Sequence, residues 1–193
     1  AQWEYAELES LGLIKMDLLG LELLNTVQQT LDNIKLSNLS AKSPSEVRQV
    51  PDMRELVAGP MDDPRTYELL EKASTTGIFQ LGSPGVRDLL KRAKPKSFVD
   101  IATITALYRP GPMSVNAHLD WADRKNGVKK VVYLDERLHG TVVEDILKDT
   151  AGIVCFQEQL MQLATRYSNM TSQEADLLRK AMGKKKIDLM MSL

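Results

Sequence analysis

The sequence predicts a mainly α-helical fold with a few short strands. Apolar residues recur at a 3.6-residue period through most segments. Serine, threonine and aspartate stand where those segments begin, twice followed by proline, the usual chemistry of a helix start. Hydrophobic content of 43% and charged content of 26% over 193 residues are ordinary for a globular chain with a core of its own.

Each element follows in order. The run "LGLIKM" (11–16) is short and apolar, as a buried strand would be. Behind it "DLLGLELLNTVQQTLDNI" (17–34) carries a helical stripe of leucines, with Asp17 placed as its N-cap or first-turn residue. Residues 35–63 hold Pro44, Pro51, Gly59 and Pro60 and read as a connection. Asp63-Pro64 opens a helix over 63–73, "TTGIFQL" (75–81) reads as extended, and Ser83-Pro84 opens the next helix over 83–93. The segment 97–108 is apolar on most sides and stops at "RPGP" (109–112), where prolines bar its continuation. Helices are expected over 114–125, within 136–150 and over 157–170, with a short apolar piece at 152–156. Thr171 and Glu174 have capping-box spacing at the start of a last helix, 171–182.

Several function classes lose support. A single cysteine, Cys155, rules out an internal disulfide framework and any multi-cysteine zinc site, and suits a reducing, cytoplasmic setting. His118 and His139 are both far from Cys155 in sequence, so a Cys-His nucleophile has little behind it. No glycine-rich phosphate loop is present. No apolar run is long enough to span a bilayer, and the N-terminus lacks the basic and apolar regions of a secretory signal. The chain starts without methionine and reads as cut from something longer.

Charge is concentrated rather than scattered, although the formal net charge is only -1. One basic island, "VRDLLKRAKPK" (86–96), contains Arg87, Lys91 and Arg92; the other, "RKAMGKKK" (179–186), contains Arg179, Lys180, Lys184 and Lys185. Islands that converge in space make a footprint for phosphates; lysine-rich helix faces that merely meet solvent make the same pattern. In a strand, Lys15 and Asp17 would share a face and one site. They equally fit a capping aspartate beside a solvent-reaching lysine. Arg109, held between an apolar helix and a stiff proline turn, suits bidentate phosphate binding or, as readily, a buried structural ion pair.

Taken together, "GLIKMDLLGL" (12–21), "TTGIFQLGSPGVRDLLKRAKP" (75–95), "ITALYRPGP" (104–112), "GIVCFQEQLMQLA" (152–164) and "EADLLRKAMGKKK" (174–186) resemble the family C replicative polymerases of bacteria, the DNA polymerase III alpha subunit type. The motifs stand in family order across nearly the whole chain. The resemblance implies the end of a palm domain over 1–35, a connection over 36–62 and a helical fingers domain over 63–193. The amino-terminal phosphoesterase-like domain, most of the palm, the thumb and the clamp-binding tail would lie outside.

The resemblance also implies roles. Asp17 matches the third metal-binding carboxylate and Lys15 the lysine beside it. Arg109, Arg179, Lys180, Lys184 and Lys185 match residues around the incoming nucleotide. Arg87, Lys91 and Arg92 become candidate DNA contacts. The expected partners are template-primer DNA, deoxynucleoside triphosphates and, in the intact enzyme, a sliding clamp and other replisome subunits, with two magnesium ions as cofactor. Two departures stand out: Lys180 replaces a usual arginine, and "QLGSPG" replaces a Glu-Ser pair before glycine. The family's Asp-x-Asp pair is missing. Two-metal transfer needs carboxylates holding two cations roughly 3.5–4 Å apart, so the chain alone is expected to be inactive. A non-catalytic nucleic-acid-binding module is the rival reading.

Overall fold

The computed structural model describes residues 2–14, 16–183 and 187–191. The chain divides into two compact units, Ala1–Gly59 and Pro60–Leu193.

The first unit contains α1 (Tyr5–Ser10), α2 (Glu22–Leu39) and α3 (Met53–Ala58), with a 3-10 turn at Pro44–Glu46. After α1 the chain turns through Gly12, whose φ of +77° no side chain adopts cheaply. The N–H of Gly12 donates to the Glu9 carbonyl at 3.0 Å and that of Leu13 to Leu8 at 3.1 Å, a Schellman closure of the helix. Those bonds shape 11–14 as a turn, where the sequence predicted a strand. The helix expected from Asp17 starts later, at Glu22 with Leu21 as N-cap. Gly20 is a poor helix former, and the stripe Leu18–Leu19 stays 98% and 93% exposed, so no packing offsets that cost. The connection is less irregular than expected, because α3 has a full capping box from Asp52 and Glu55. The Asn38 side chain clasps the backbone of Arg48 through bonds of 2.8 and 2.9 Å, tying the end of α2 to that connection.

The second unit begins with α4 (Pro64–Glu71), α5 (Pro84–Ala93), α6 (Phe98–Leu107), α7 (Pro110–Ser114) and α8 (Ala117–Lys125). It continues with α9 (Val142–Leu147), α10 (Gln157–Gln162), a π-helical turn (Leu163–Tyr167), α11 (Ser172–Gly183) and α12 (Ile187–Met191). The starts expected at Asp63, Ser83 and Thr171 hold, whereas the helix expected from 114 begins at Ala117. Asp63 accepts from the Arg65 N–H at 2.9 Å with Pro64 following, and Thr171 and Glu174 form a capping box. Ser97 and Asp100 form another, at a start the sequence reading did not mark. The core packs α5, α6 and α8 around Leu90, Ile104, Leu107 and Trp121, all at most 1% exposed. A smaller cluster of Tyr133, Val143, Ile146 and Leu147 lies under α9.

No strand is present among the described residues, which corrects the other two strand expectations. At 75–81 the buried Thr75 hydroxyl donates to the Leu81 carbonyl at 2.5 Å and the Ile78 N–H to the Thr75 carbonyl at 3.1 Å, folding the segment on itself. At 152–156 the buried side chain of Gln159 accepts from the N–H groups of Cys155 and Phe156 at 3.0 and 3.1 Å. Those donors are then no longer free for a strand neighbour.

Gly152 closes the loop before that hook with φ +81°, and a Cβ there would collide with the Val132 carbonyl. Gly152→Ala is expected to cost about 3 kcal/mol, the sum of left-handed strain and a backbone clash, measured as a shift in urea unfolding. A loss below about 0.5 kcal/mol would mean the loop relaxes freely.

Candidate nucleotide and DNA interface

The α11 helix carries the centre of the basic site. Residues 176, 179 and 180 are spaced i, i+3 and i+4 and share one face. Asp176 Oδ1 accepts from Arg179 Nε at 3.0 Å and from Nη2 at 2.8 Å, while Oδ2 lies 2.8 Å from Lys180 Nζ. The hydrogen bond from Lys180, and then that from Arg179, holds the Asp176 carboxyl below the usual carboxylate range. From the start of α10, Gln157 Oε1 accepts from Arg179 Nη1 at 3.3 Å. Arg179 and Lys180 are therefore brought together and oriented, with Lys180 the more exposed. Lys184 and Lys185 lie outside the described residues, as does Lys15.

Arg109 is the N-cap residue of α7 and is exposed. Its Nε donates to the Thr105 carbonyl at 3.3 Å, so the alternative of a buried arginine paired to a carboxylate does not apply. It lines an open cleft of about 630 Å³ together with Gln80, Ser83, Thr105 and Tyr108. The start of α5 forms one wall. Gly85 leaves no room there for a Cβ, which would overlap the Tyr108 hydroxyl. No hydrogen bond or ion pair among the described residues joins Arg109 to the Arg179 group.

The 86–96 island is put to different uses. Arg92 forks onto Asp123 of α8, Nε to Oδ1 at 2.8 Å and Nη2 to Oδ2 at 2.9 Å. Asp123 is buried, and Lys129 Nζ lies 3.6 Å from its Oδ2. Arg92 is thus an internal tie between α5 and α8. Arg87 donates from Nη2 to the Thr76 hydroxyl at 2.8 Å, with its Nε buried. Lys91 is exposed.

Asp17 sits in the exposed irregular stretch before α2, in the first unit. Among the described residues no group of three or more His, Cys, Asp or Glu side chains could hold a metal ion. The residues present do not by themselves fit a two-metal centre. Burial pushes the Cys155 thiol up to about 12, against a smaller opposing effect of Thr103, which disfavours the thiolate a nucleophile needs. Sequence reasoning overlooked Asp176 and Gln157. The i, i+3, i+4 spacing would have disclosed the first; the second, on another helix, left no local signal.

The fold is a helical domain with two neighbouring cations on one helix, and comparison with known proteins makes that class specific. The family described as bacterial DNA polymerase III alpha subunit finger domain matches residues 24–193. The DNA polymerase III subunit alpha of Saccharopolyspora erythraea is 44% identical over 191 residues, that of Aquifex aeolicus 43% over 189 and that of Mycobacterium tuberculosis 41% over 188. These alignments cover 97–98% of this chain and 15% of each relative. The chain belongs to the finger-domain family of the bacterial DNA polymerase III alpha subunit, and it spans about a seventh of the length of those relatives. Among the described residues no helix is long and apolar enough to cross a membrane.

His118 of α8 gives a pH test of the packing. Its Nδ1 is buried without a partner, its ring meets Tyr108 edge-on, and burial, then the Arg92 charge, holds its pKa below the usual imidazole value. A depressed folded pKa means that the unfolded chain binds the proton more readily. Stability from this residue is complete above the unfolded value near 6.5 and falls as pH drops below it. Urea midpoints taken between pH 7.5 and 5.5 should decline, and His118→Asn should flatten part of that decline. An unchanged slope in the variant would contradict the assignment.

Proposed function

We propose that this chain is the nucleotide-gripping part of a replicative DNA-directed DNA polymerase, in which Arg179 and Lys180 neutralise the triphosphate of the incoming deoxynucleotide. The observation that carries the reading is the oriented Arg179–Lys180 pair on α11, set in a motif of a chain that belongs to the finger-domain family. Charged donors fixed before the reaction are worth most where charge develops, as on a leaving pyrophosphate. Lys184 and Lys185 extend the same grip. Arg109, on its cleft wall, binds phosphate or the template-primer beside it. Lys91 and Arg87 contribute to DNA contact, and Arg92 does so only with the part of its guanidinium that Asp123 leaves over.

Asp17, with Lys15 next to it, supplies one carboxylate to a magnesium site whose other ligands lie outside this chain. A cytoplasmic location, a sliding clamp and further replisome subunits go with this reading. On it, the isolated 193-residue chain incorporates no nucleotide with magnesium or manganese. Extension of a labelled primer by highly purified chain would sink the fragment reading.

The experiment that tests the grip is steady-state kinetics of the longer polymerase carrying this segment. Arg179→Ala should raise the nucleotide KM and lower kcat, a combined loss of roughly 2–4 kcal/mol in transition-state stabilisation. Lys180→Arg should be tolerated, since the resemblance implies an arginine as the usual residue there. An Arg179→Ala enzyme with unchanged nucleotide kinetics and weaker DNA binding would reassign the site to the template-primer.

A further inference from the structure

We infer that Asp176 is a positioning residue, which holds Arg179 and Lys180 at a fixed spacing and orientation for polyphosphate. The inference rests on the phosphate-binding reading of those two cations and deepens it.

Placing an acid against the cations meant for an anion looks self-defeating. The bond geometry resolves the conflict. Asp176 gives one oxygen to each cation: Oδ1 receives Nε and Nη2 of Arg179 at 3.0 and 2.8 Å, and Oδ2 receives Lys180 Nζ at 2.8 Å. Gln157 takes Nη1 of Arg179 at 3.3 Å from a different helix. Every nitrogen of the guanidinium is therefore tethered, yet one N–H on each terminal nitrogen stays available to an anion. Lys180 keeps N–H groups free in the same way, with its side chain 59% exposed. Arg179, at 30%, is the more enclosed of the two.

Arginine and lysine carry large rotamer freedom, and a ligand that must order them loses affinity. Asp176 and Gln157 order Arg179 beforehand, and Asp176 orders Lys180. The acid also lowers the local charge, so its two possible roles make opposite predictions. If Asp176 acts only as a charge, neutralising it makes the site more positive and a polyanion binds more tightly. If it positions, neutralising it frees both cations and the polyanion binds more weakly in spite of the added positive charge.

The test is calorimetric titration of the 193-residue chain with inorganic tripolyphosphate at constant ionic strength, alongside the Arg179 Nε–Hε resonance in 15N-correlated NMR spectra. Arg179→Ala should abolish most of the affinity. Asp176→Asn should weaken it roughly tenfold, the scale of leaving two such side chains for the ligand to order. In that variant the Arg179 Nε–Hε signal should move into the envelope of exposed arginines. Equal or tighter binding by Asp176→Asn, while Arg179→Ala still loses it, overturns the positioning role and leaves the phosphate reading standing. Unchanged binding by Arg179→Ala overturns the phosphate reading itself. Should Asp176→Asn lose its helical circular dichroism, Gln157→Ala carries the test, where weaker binding supports the tethering and wild-type binding overturns it.

Discussion

A buried carboxylate has to be paired, and in the second unit the pairing of Asp123 settles where α5 and α8 lie. Arg92 meets it with two nitrogens of one edge, and Lys129 adds a second cation 3.6 Å from Oδ2. Two residues further along α8, Lys125 Nζ donates to the carbonyls of Ala93 and Lys94 at 3.1 and 3.0 Å and lies 3.4 Å from Asp100. A lysine at these positions caps the end of α5 and ties in the start of α6, the end where a cation also suits the helix dipole. Trp121 and Ala122 of α8 then fill the space between the same helices. The cleft that Arg109 lines is built from the start of α5 and the end of α6, the ends of those two helices away from Lys125.

The helix starts were legible because a cap is local chemistry. Asp63-Pro64, Ser83-Pro84 and Thr171 with Glu174 each announce themselves within four residues, and each opens a helix. The strands were misread for a reason of the opposite kind. A short apolar run does not say where its N–H groups will go. In 75–81 the Ile78 N–H goes to the carbonyl of Thr75 within the run, and in 152–156 the N–H groups of Cys155 and Phe156 go to the side chain of Gln159 just beyond it. Asp17 misled in a third way: it has the look of a cap, but Gly20 and an unburied leucine stripe delay the helix to Glu22.

The candidate site was half legible for a related reason. Arg179 and Lys180 stood out as cations, and their family match assigned them a role, but the acid that binds both was passed over as background. Arg92 stood out equally, but its partner Asp123 is far away in sequence and left no local signal. Charge density marked where cations are; the geometry shows which carboxylate each one meets. On α11 one carboxylate meets both cations, and a second helix supplies Gln157 to the same guanidinium.

On the proposed function these cations grip the triphosphate of a nucleotide rather than the backbone of DNA. Phosphorus-31 NMR of a deoxynucleoside triphosphate, recorded with increasing amounts of the chain, separates the two. The β- and γ-phosphate resonances should shift and broaden saturably, the nucleoside monophosphate should show little change, and excess duplex DNA should not reverse the effect. Triphosphate resonances that stay unchanged while duplex DNA binds the chain would contradict it.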